Sequence, residues 1–251
     1  MNAWRSGEML EVPMSEQLAR AYEGFCAAGT APAFVPEAVV FPGGGVDPAD
    51  DGARCSWIGP DEEVWARRMG TSADVARRVV TAAARELFEE CGVLLAGDER
   101  GVCSLDASEP AWAEERRRLV SHETSLADVL KRHGLALRAD LLGLRSHWLT
   151  PEFEPRRYDT YFFAALAPTG QEPDSRTSEA DRAGWVDPQA MFDRAAQGLV
   201  RLVPPTAYNL AHLLHAPGVE SFAAGVEETG RVMLEPAVRE GGRAVLTCRL
   251  P

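Results

Sequence analysis

The stretch Arg85-Glu86-Leu87-Phe88-Glu89-Glu90-Cys91-Gly92-Val93 decides how the rest of this chain is read. At about 100° per residue, Glu86, Glu89 and Glu90 fall within one arc of a helix. Val80, Ala84, Leu87, Phe88 and Cys91 fall on the opposite side. One face suits a core, and the other presents three carboxylates within a turn. Like charges at such spacings repel and weaken an isolated helix. A hard divalent cation with a preference for oxygen turns that repulsion into attraction. Two readings stay open on this feature alone, because three glutamates on a helix are most often just a solvated face. Arg85 abuts the cluster and is placed to hold one carboxylate.

Upstream, the helix extends back through Ala73 without Gly or Pro. Thr71 or Ser72 can cap its start, Asp74 suits the first turn, and Gly92 sits where a helix commonly stops. Further back, Ala38-Val39-Val40-Phe41 reads as a short buried strand, which Pro42-Gly43-Gly44-Gly45 breaks into a loop. Backbone of that kind approaches phosphates closely, although glycine runs are also common in ordinary turns. Met14 to Ala28 reads as a helix, Met9-Leu10-Glu11-Val12 as a short strand, and Pro60-Asp61-Glu62-Glu63 as the start of another helix. Trp57 and Trp65 beside that start have two readings, as anchors to the core or as ring partners for a ligand.

Downstream, helices are expected over Pro110–Ser121, Ser125–His133, Pro188–Gln197 and Thr206–His215. Strands are expected over Leu141–Trp148, Tyr158–Leu166, Trp185-Val186 and Arg243–Arg249. Mixed strands and helices without a strict βα repeat suggest one compact α/β sandwich over residues 1–251 rather than a barrel. The helical part between 106 and 133 reads as an insertion in it.

The chain of 251 residues is 45% hydrophobic and 25% charged, an ordinary globular composition. Its formal charge of -12 argues against nucleic acid as a partner. The same charge repels nucleotides at long range, so a nucleotide enzyme of this kind needs a metal or a local Arg cluster. Five cysteines without a C-x-x-C pair point to free thiols and a cytoplasmic protein. Apolar stretches fall well short of the roughly 18 residues that a membrane span needs. His212 and His215 lack a nearby third ligand, so zinc is not expected.

Taken together, these residues resemble the Nudix hydrolase family, whose box reads G-x5-E-x7-R-E-U-x-E-E-x-G-U. Arg85 to Val93 matches its second half at every fixed position. The first half is recognisable at Pro42–Asp47, but Asp50 stands where the pattern has Glu, and 34 residues separate Asp50 from Arg85 where the pattern has seven. One branch carries such an insertion, here about 51–72, and includes the peroxisomal coenzyme A diphosphatase known as nucleoside diphosphate-linked moiety X motif 19. Its F-P-G-G-x-x-D start is similar to Phe41–Asp47. Its W-x-T-P and R-R-[FY]-D-T-x-F-F segments are similar to Trp148–Pro151 and Arg156–Phe163. Glu179 ahead of Trp185, and Pro204-Pro205-Thr206, also fit. A strand of the type V-L-L-L-R-R, usual before the glycine loop, is missing.

The resemblance implies a Nudix-type α/β/α sandwich with a mixed sheet plus helical insertions. It also implies hydrolysis of a diphosphate linkage in a nucleotide-derived small molecule, with Mg²⁺ or Mn²⁺ as cofactor. Glu86, Glu89 and Glu90 would be metal ligands, with Glu89 and Glu90 also catalytic. Arg85 would orient a glutamate, and Glu179 would add a further carboxylate as ligand or base. Gly43 and Gly44 would approach the substrate. Arg156 and Arg157 suit a phosphate such as the 3′-phosphate of coenzyme A, against the alternative of an ion pair with Asp159 or Glu154. Coenzyme A or acyl-coenzyme A is the leading substrate, with NADH, ADP-ribose or another conjugate as the alternative. A non-catalytic ligand-sensing module is a third reading, disfavoured by the three intact glutamates. A homodimer is the family expectation.

Overall fold

The computed structural model describes residues 9–13, 38–52, 55–174, 184–225, 229–239 and 244–250. The helix expected over Met14–Ala28 and the candidate Glu179 lie outside them. In chain order the strands are β1 (Met9–Pro13), β2 (Ala38–Val39), β3 (Trp57–Ile58), β4 (Ala96–Asp98), β5 (Gly101–Val102), β6 (Ala136–Arg138), β7 (Leu142–Leu149), β8 (Asp159–Ala165), β9 (Arg201–Leu202), β10 (Arg231–Met233), β11 (Glu235–Val238) and β12 (Ala244–Arg249). The helices are α1 (Ala49–Gly52), α2 (Glu62–Met69), α3 (Ala73–Cys91), α4 (Pro110–Val120), α5 (Leu126–His133), α6 (Pro188–Ala196), α7 (Pro204–His215) and α8 (Val219–Ala224).

The β7–β8 hairpin organises the layers. Its strands pair antiparallel from Leu142↔Ala165 to Leu149↔Asp159, and β10 adds to β7 in parallel, so this sheet is mixed. A bulge between Leu144 and Ser146 re-aims the strand. Before it, Leu144 joins a core with Phe163, whose ring meets buried Trp65 of α2 edge-on at 5.9 Å. After it, the hydroxyl of Ser146 donates to Asn209 Oδ1 of α7, and Trp148 packs on Tyr208. Helices therefore cover both faces of this sheet, an α/β/α arrangement. The expected N-terminal strand pairs antiparallel with β12, from Met9↔Arg249 to Pro13↔Val245. It thus joins a C-terminal sheet in the order β1-β12-β11.

Local signals explain the helix bounds. The side chains of Asp61, Ser72, Ser125 and Asp187 each accept a backbone N–H at a helix start, and Gly70, Gly92 and Gly134 close helices in the left-handed conformation. In α3 the residues Ala76, Val80, Ala84 and Phe88, four apart, are fully buried against Met69, Leu94, Leu95, Leu119 and Leu137. Trp65 is equally buried and serves as an anchor to this core. Trp57 lies nearer the surface, its indole N–H donating to Pro60 O and its ring beneath Arg77.

Two expectations fail. The strand read over Ala38–Phe41 is confined to Ala38–Val39 and is only half-buried, while Val40 and Phe41 are exposed where the chain enters the glycine loop. Trp185-Val186 forms no strand, and Trp185 is exposed. A two-residue apolar pair has no period of its own, and among the described residues no strand pairs with it. Cys55, Cys91, Cys103 and Cys248 are free thiols. Among the described residues no helix is long and apolar enough to cross a membrane.

Candidate active site

The three glutamates do not form a solvated face. Glu86 is buried, and the side chain of Glu89 is only 11% exposed. Their cover is the glycine loop between β2 and α1. Gly43 takes a positive φ of 154°, which disfavours any side chain, and its N–H donates to Glu90 Oε1 at 3.2 Å. A Cβ built on Gly44 would lie 2.3 Å from Glu86 Oε1 and 2.7 Å from its Cδ. Loop and helix are thus in van der Waals contact at the carboxylates themselves.

Arg85 ties the parts together. It is buried, and its guanidinium makes five hydrogen bonds. Nε and Nη2 fork onto Asp50 Oδ1 and Oδ2 at 3.0 and 3.1 Å. Nη1 reaches Glu86 Oε1 at 3.0 Å and Glu89 Oε2 at 2.8 Å, while Nη2 also donates to Gly45 O at 2.7 Å. Burial by itself lowers the Arg85 pKa, but hydrogen bonding to Asp50 and the charges of Asp50, Glu89 and Glu86 outweigh it. The guanidinium is therefore held charged above its ordinary value. Burial pushes the Glu89 carboxyl above its usual range and the Glu86 charge adds to this, against the pull of Arg85 and His122.

Asp50 is the residue that sequence reasoning left without a role. It occupies the position where the family pattern has Glu, and a signal was present in that six-residue spacing from Gly44. A tight turn aims it inward, since Asp47 N donates to Asp50 Oδ2 at 2.8 Å and Asp50 N to Asp47 O at 2.9 Å.

Arg116 and Asp174 were also missed, and here no local signal existed. Helix α3 has no basic residue in its last turn. Arg116 of α4 supplies the cation that the negative end of the helix favours. Its Nε donates to Glu89 O at 2.8 Å, and Nη1 contacts both oxygens of Asp174 at 2.8 and 2.9 Å. Asp174 N in turn donates to Cys91 O. Helix α4 therefore braces the end of the helix that carries the glutamates.

Arg156 and Arg157 lie elsewhere, between β7 and β8. Arg157 Nε donates to Thr150 O at 3.0 Å, and Arg156 sits over the Tyr158 ring. Among the described residues neither makes an ion pair with Asp159 or Glu154, and no hydrogen bond links either to the glutamates. Asp159 instead makes a short contact with His147 Nε2, and that imidazole stacks on Tyr161.

Among the described residues no three His, Cys, Asp or Glu side chains already converge as a metal cage. The reason is visible in the contacts, because Arg85 draws Glu86 and Glu89 while Gly43 engages Glu90. Glu89 Oε1, however, is buried with no hydrogen-bond partner. A buried anionic oxygen left unsatisfied is costly, and in a set of hard oxygen donors it fits a divalent cation.

Gly44→Ala tests the contact between loop and helix. The atom in the way is the end of a flexible side chain, so Glu86 yields and the fold survives. We expect a stability change under about 1 kcal/mol, with kcat/KM lower by about 10²-fold from the displaced carboxylate. Thermal melts beside steady-state kinetics separate the two effects.

Comparison with known proteins agrees with this geometry. A family model, the NUDT19 Nudix domain, matches residues 61–213. The Caenorhabditis elegans protein described as "Putative nudix hydrolase 7" is 30% identical over 185 residues, which are 74% of this chain and 53% of that protein. The chain thus spans about half the length of that curated relative. The crystal structure of a NUDIX hydrolase from Alicyclobacillus acidocaldarius matches with a TM-score of 0.61 at 26% identity, covering 77% of this chain and 83% of that one. With its carboxylate helix set in an α/β/α frame and its sequence matched over most of its length, the chain belongs to the Nudix hydrolase family and matches its NUDT19 Nudix domain.

Proposed function

We propose that this enzyme hydrolyses the diphosphate linkage of coenzyme A or an acyl-coenzyme A, with Mg²⁺ or Mn²⁺ bound at Glu86, Glu89 and Glu90. The observation that carries the reading is the buried, unpartnered Glu89 Oε1 beside two more carboxylates beneath a glycine loop. The similarity to the NUDT19 Nudix domain supports the coenzyme A class of substrate. When bound, the metal supplies charge neutralisation at the diphosphate and acidifies a water. Arg85 holds Glu86 and Glu89 in place through Nη1. The backbone of Gly43 and Gly44 gives a phosphate close access, and Glu89 or Glu90 accepts the proton of the attacking water. Glu179 is the further carboxylate implied by the family resemblance. Arg156 and Arg157 are the candidates for the 3′-phosphate, being exposed and without a carboxylate partner among the described residues.

The test is comparative hydrolysis of coenzyme A, NADH and ADP-ribose with and without Mg²⁺. Release of 3′,5′-ADP from coenzyme A, only with metal and at the highest kcat/KM of the three, is expected. Preferential cleavage of NADH or ADP-ribose would keep the chemistry and overturn the substrate. Metal-independent cleavage would overturn the role given to the glutamates.

A further inference from the structure

The end of α4 carries a residue that the backbone alone does not account for. Helices α2, α3 and α5 each close on a left-handed glycine: Gly70, Gly92 and Gly134. Helix α4 makes the same kind of reversal, with His122 N donating to Leu119 O at 2.9 Å and Glu123 N to Arg118 O at 2.8 Å. The residue in the left-handed position is His122, with φ 54°, the one non-glycine of positive φ among the described residues. Such backbone favours glycine, and a residue with a Cβ is held there at a cost.

The imidazole reaches from the insertion to the glycine loop, where its Nδ1 lies 3.1 Å from Asp47 Oδ2. Asp47 also accepts the N–H of Ala49 at the start of α1, the helix whose Asp50 forks onto Arg85. Asp47 is three residues from Gly44, so their α-carbons are at most about 10 Å apart. Gly44 itself lies against Glu86. A carboxylate on Nδ1 fixes the ring orientation, and a doubly protonated ring carries its second N–H on Nε2. The side chain is 70% exposed, and Nε2 has no partner among the described residues.

We propose that His122 is a substrate-contacting residue, whose Nε2 donates to a phosphate oxygen of a nucleotide-borne diphosphate at the glutamate site. The inference rests on the hydrolase reading above and adds to it a ligand from the helical insertion. It gives a chain of net charge -12 a phosphate-facing side chain that is independent of the metal.

The test uses α,β-methylene-ADP, a diphosphate that cannot be cleaved between its phosphorus atoms, titrated calorimetrically into the full chain with Mg²⁺. His122→Gly and His122→Asn both suit the left-handed backbone, so neither should lower Tm. Each is expected to bind the probe about ten-fold more weakly and to raise KM more than it lowers kcat. Added imidazole should partly restore the glycine variant. Unchanged affinity in both variants, or a loss explained by a lower Tm in both, overturns the proposal and leaves the hydrolase reading standing. No binding of the probe by the wild type also overturns it, and cleavage of coenzyme A by that same protein then decides whether the hydrolase reading falls too.

Discussion

Glu90→Gln is expected to lower kcat/KM by about 10³-fold, equivalent to about 4 kcal/mol of transition-state stabilisation. The substitution keeps the size of the side chain and an oxygen able to accept the Gly43 N–H. It removes only the charge on which the proposed metal contact depends. Glu86 and Glu90 stand one turn apart, so losing one charge also relieves a like-charge repulsion worth a few tenths of a kcal/mol. The variant should therefore melt at or slightly above the wild-type temperature while being nearly inactive. Steady-state rates across a Mg²⁺ titration, paired with thermal melts, check both halves. Activity within ten-fold of wild type at saturating Mg²⁺ would remove Glu90 from the metal site.

Asp50→Asn should show the opposite pattern, with stability lost first. Asp50 and Arg85 are both buried and joined by two hydrogen bonds. Removing one partner of a buried ion pair typically costs about 3–5 kcal/mol, because the other charge is left uncompensated. The low end, about 3 kcal/mol, is expected here, since Glu86, Glu89 and Gly45 O still accept from the guanidinium. In a chain of this size that corresponds to a fall in Tm of about 6–12 °C. Activity should fall as well, because a guanidinium no longer held on its far side fixes Glu86 and Glu89 less well. Thermal melts measure the first effect. A Tm within 2 °C of wild type would mean that the Asp50–Arg85 fork does not hold the loop to the helix.

The helix of the site was legible because its causes are local. The side chain of Ser72, the αL glycine at 92 and the apolar spacing of Ala76 through Phe88 act within a few residues of one another, and the structure places them as the spacing predicts. The same locality made the β7–β8 hairpin and α5–α7 readable from alternation, caps and prolines. Very short strands such as β3 and β6 were not readable, since two or three residues carry no period and their partners are remote in sequence. Trp185-Val186 misled for the same reason.

What the sequence by itself determined was the carboxylate arc, its arginine and the family to which both belong, because these need only helical geometry and a fixed spacing. Tertiary structure alone decided that the arc is covered and not solvated, because the cover comes from Gly43–Gly45, about forty positions away. It also decided that Asp50, 35 positions back, is the counter-charge of Arg85, that Arg116 reaches the end of the glutamate helix, and that His122 reaches Asp47 of the glycine loop. Each of these contacts joins segments far apart in the chain, and no local pattern encodes which distant oxygen a buried guanidinium or an exposed imidazole will find.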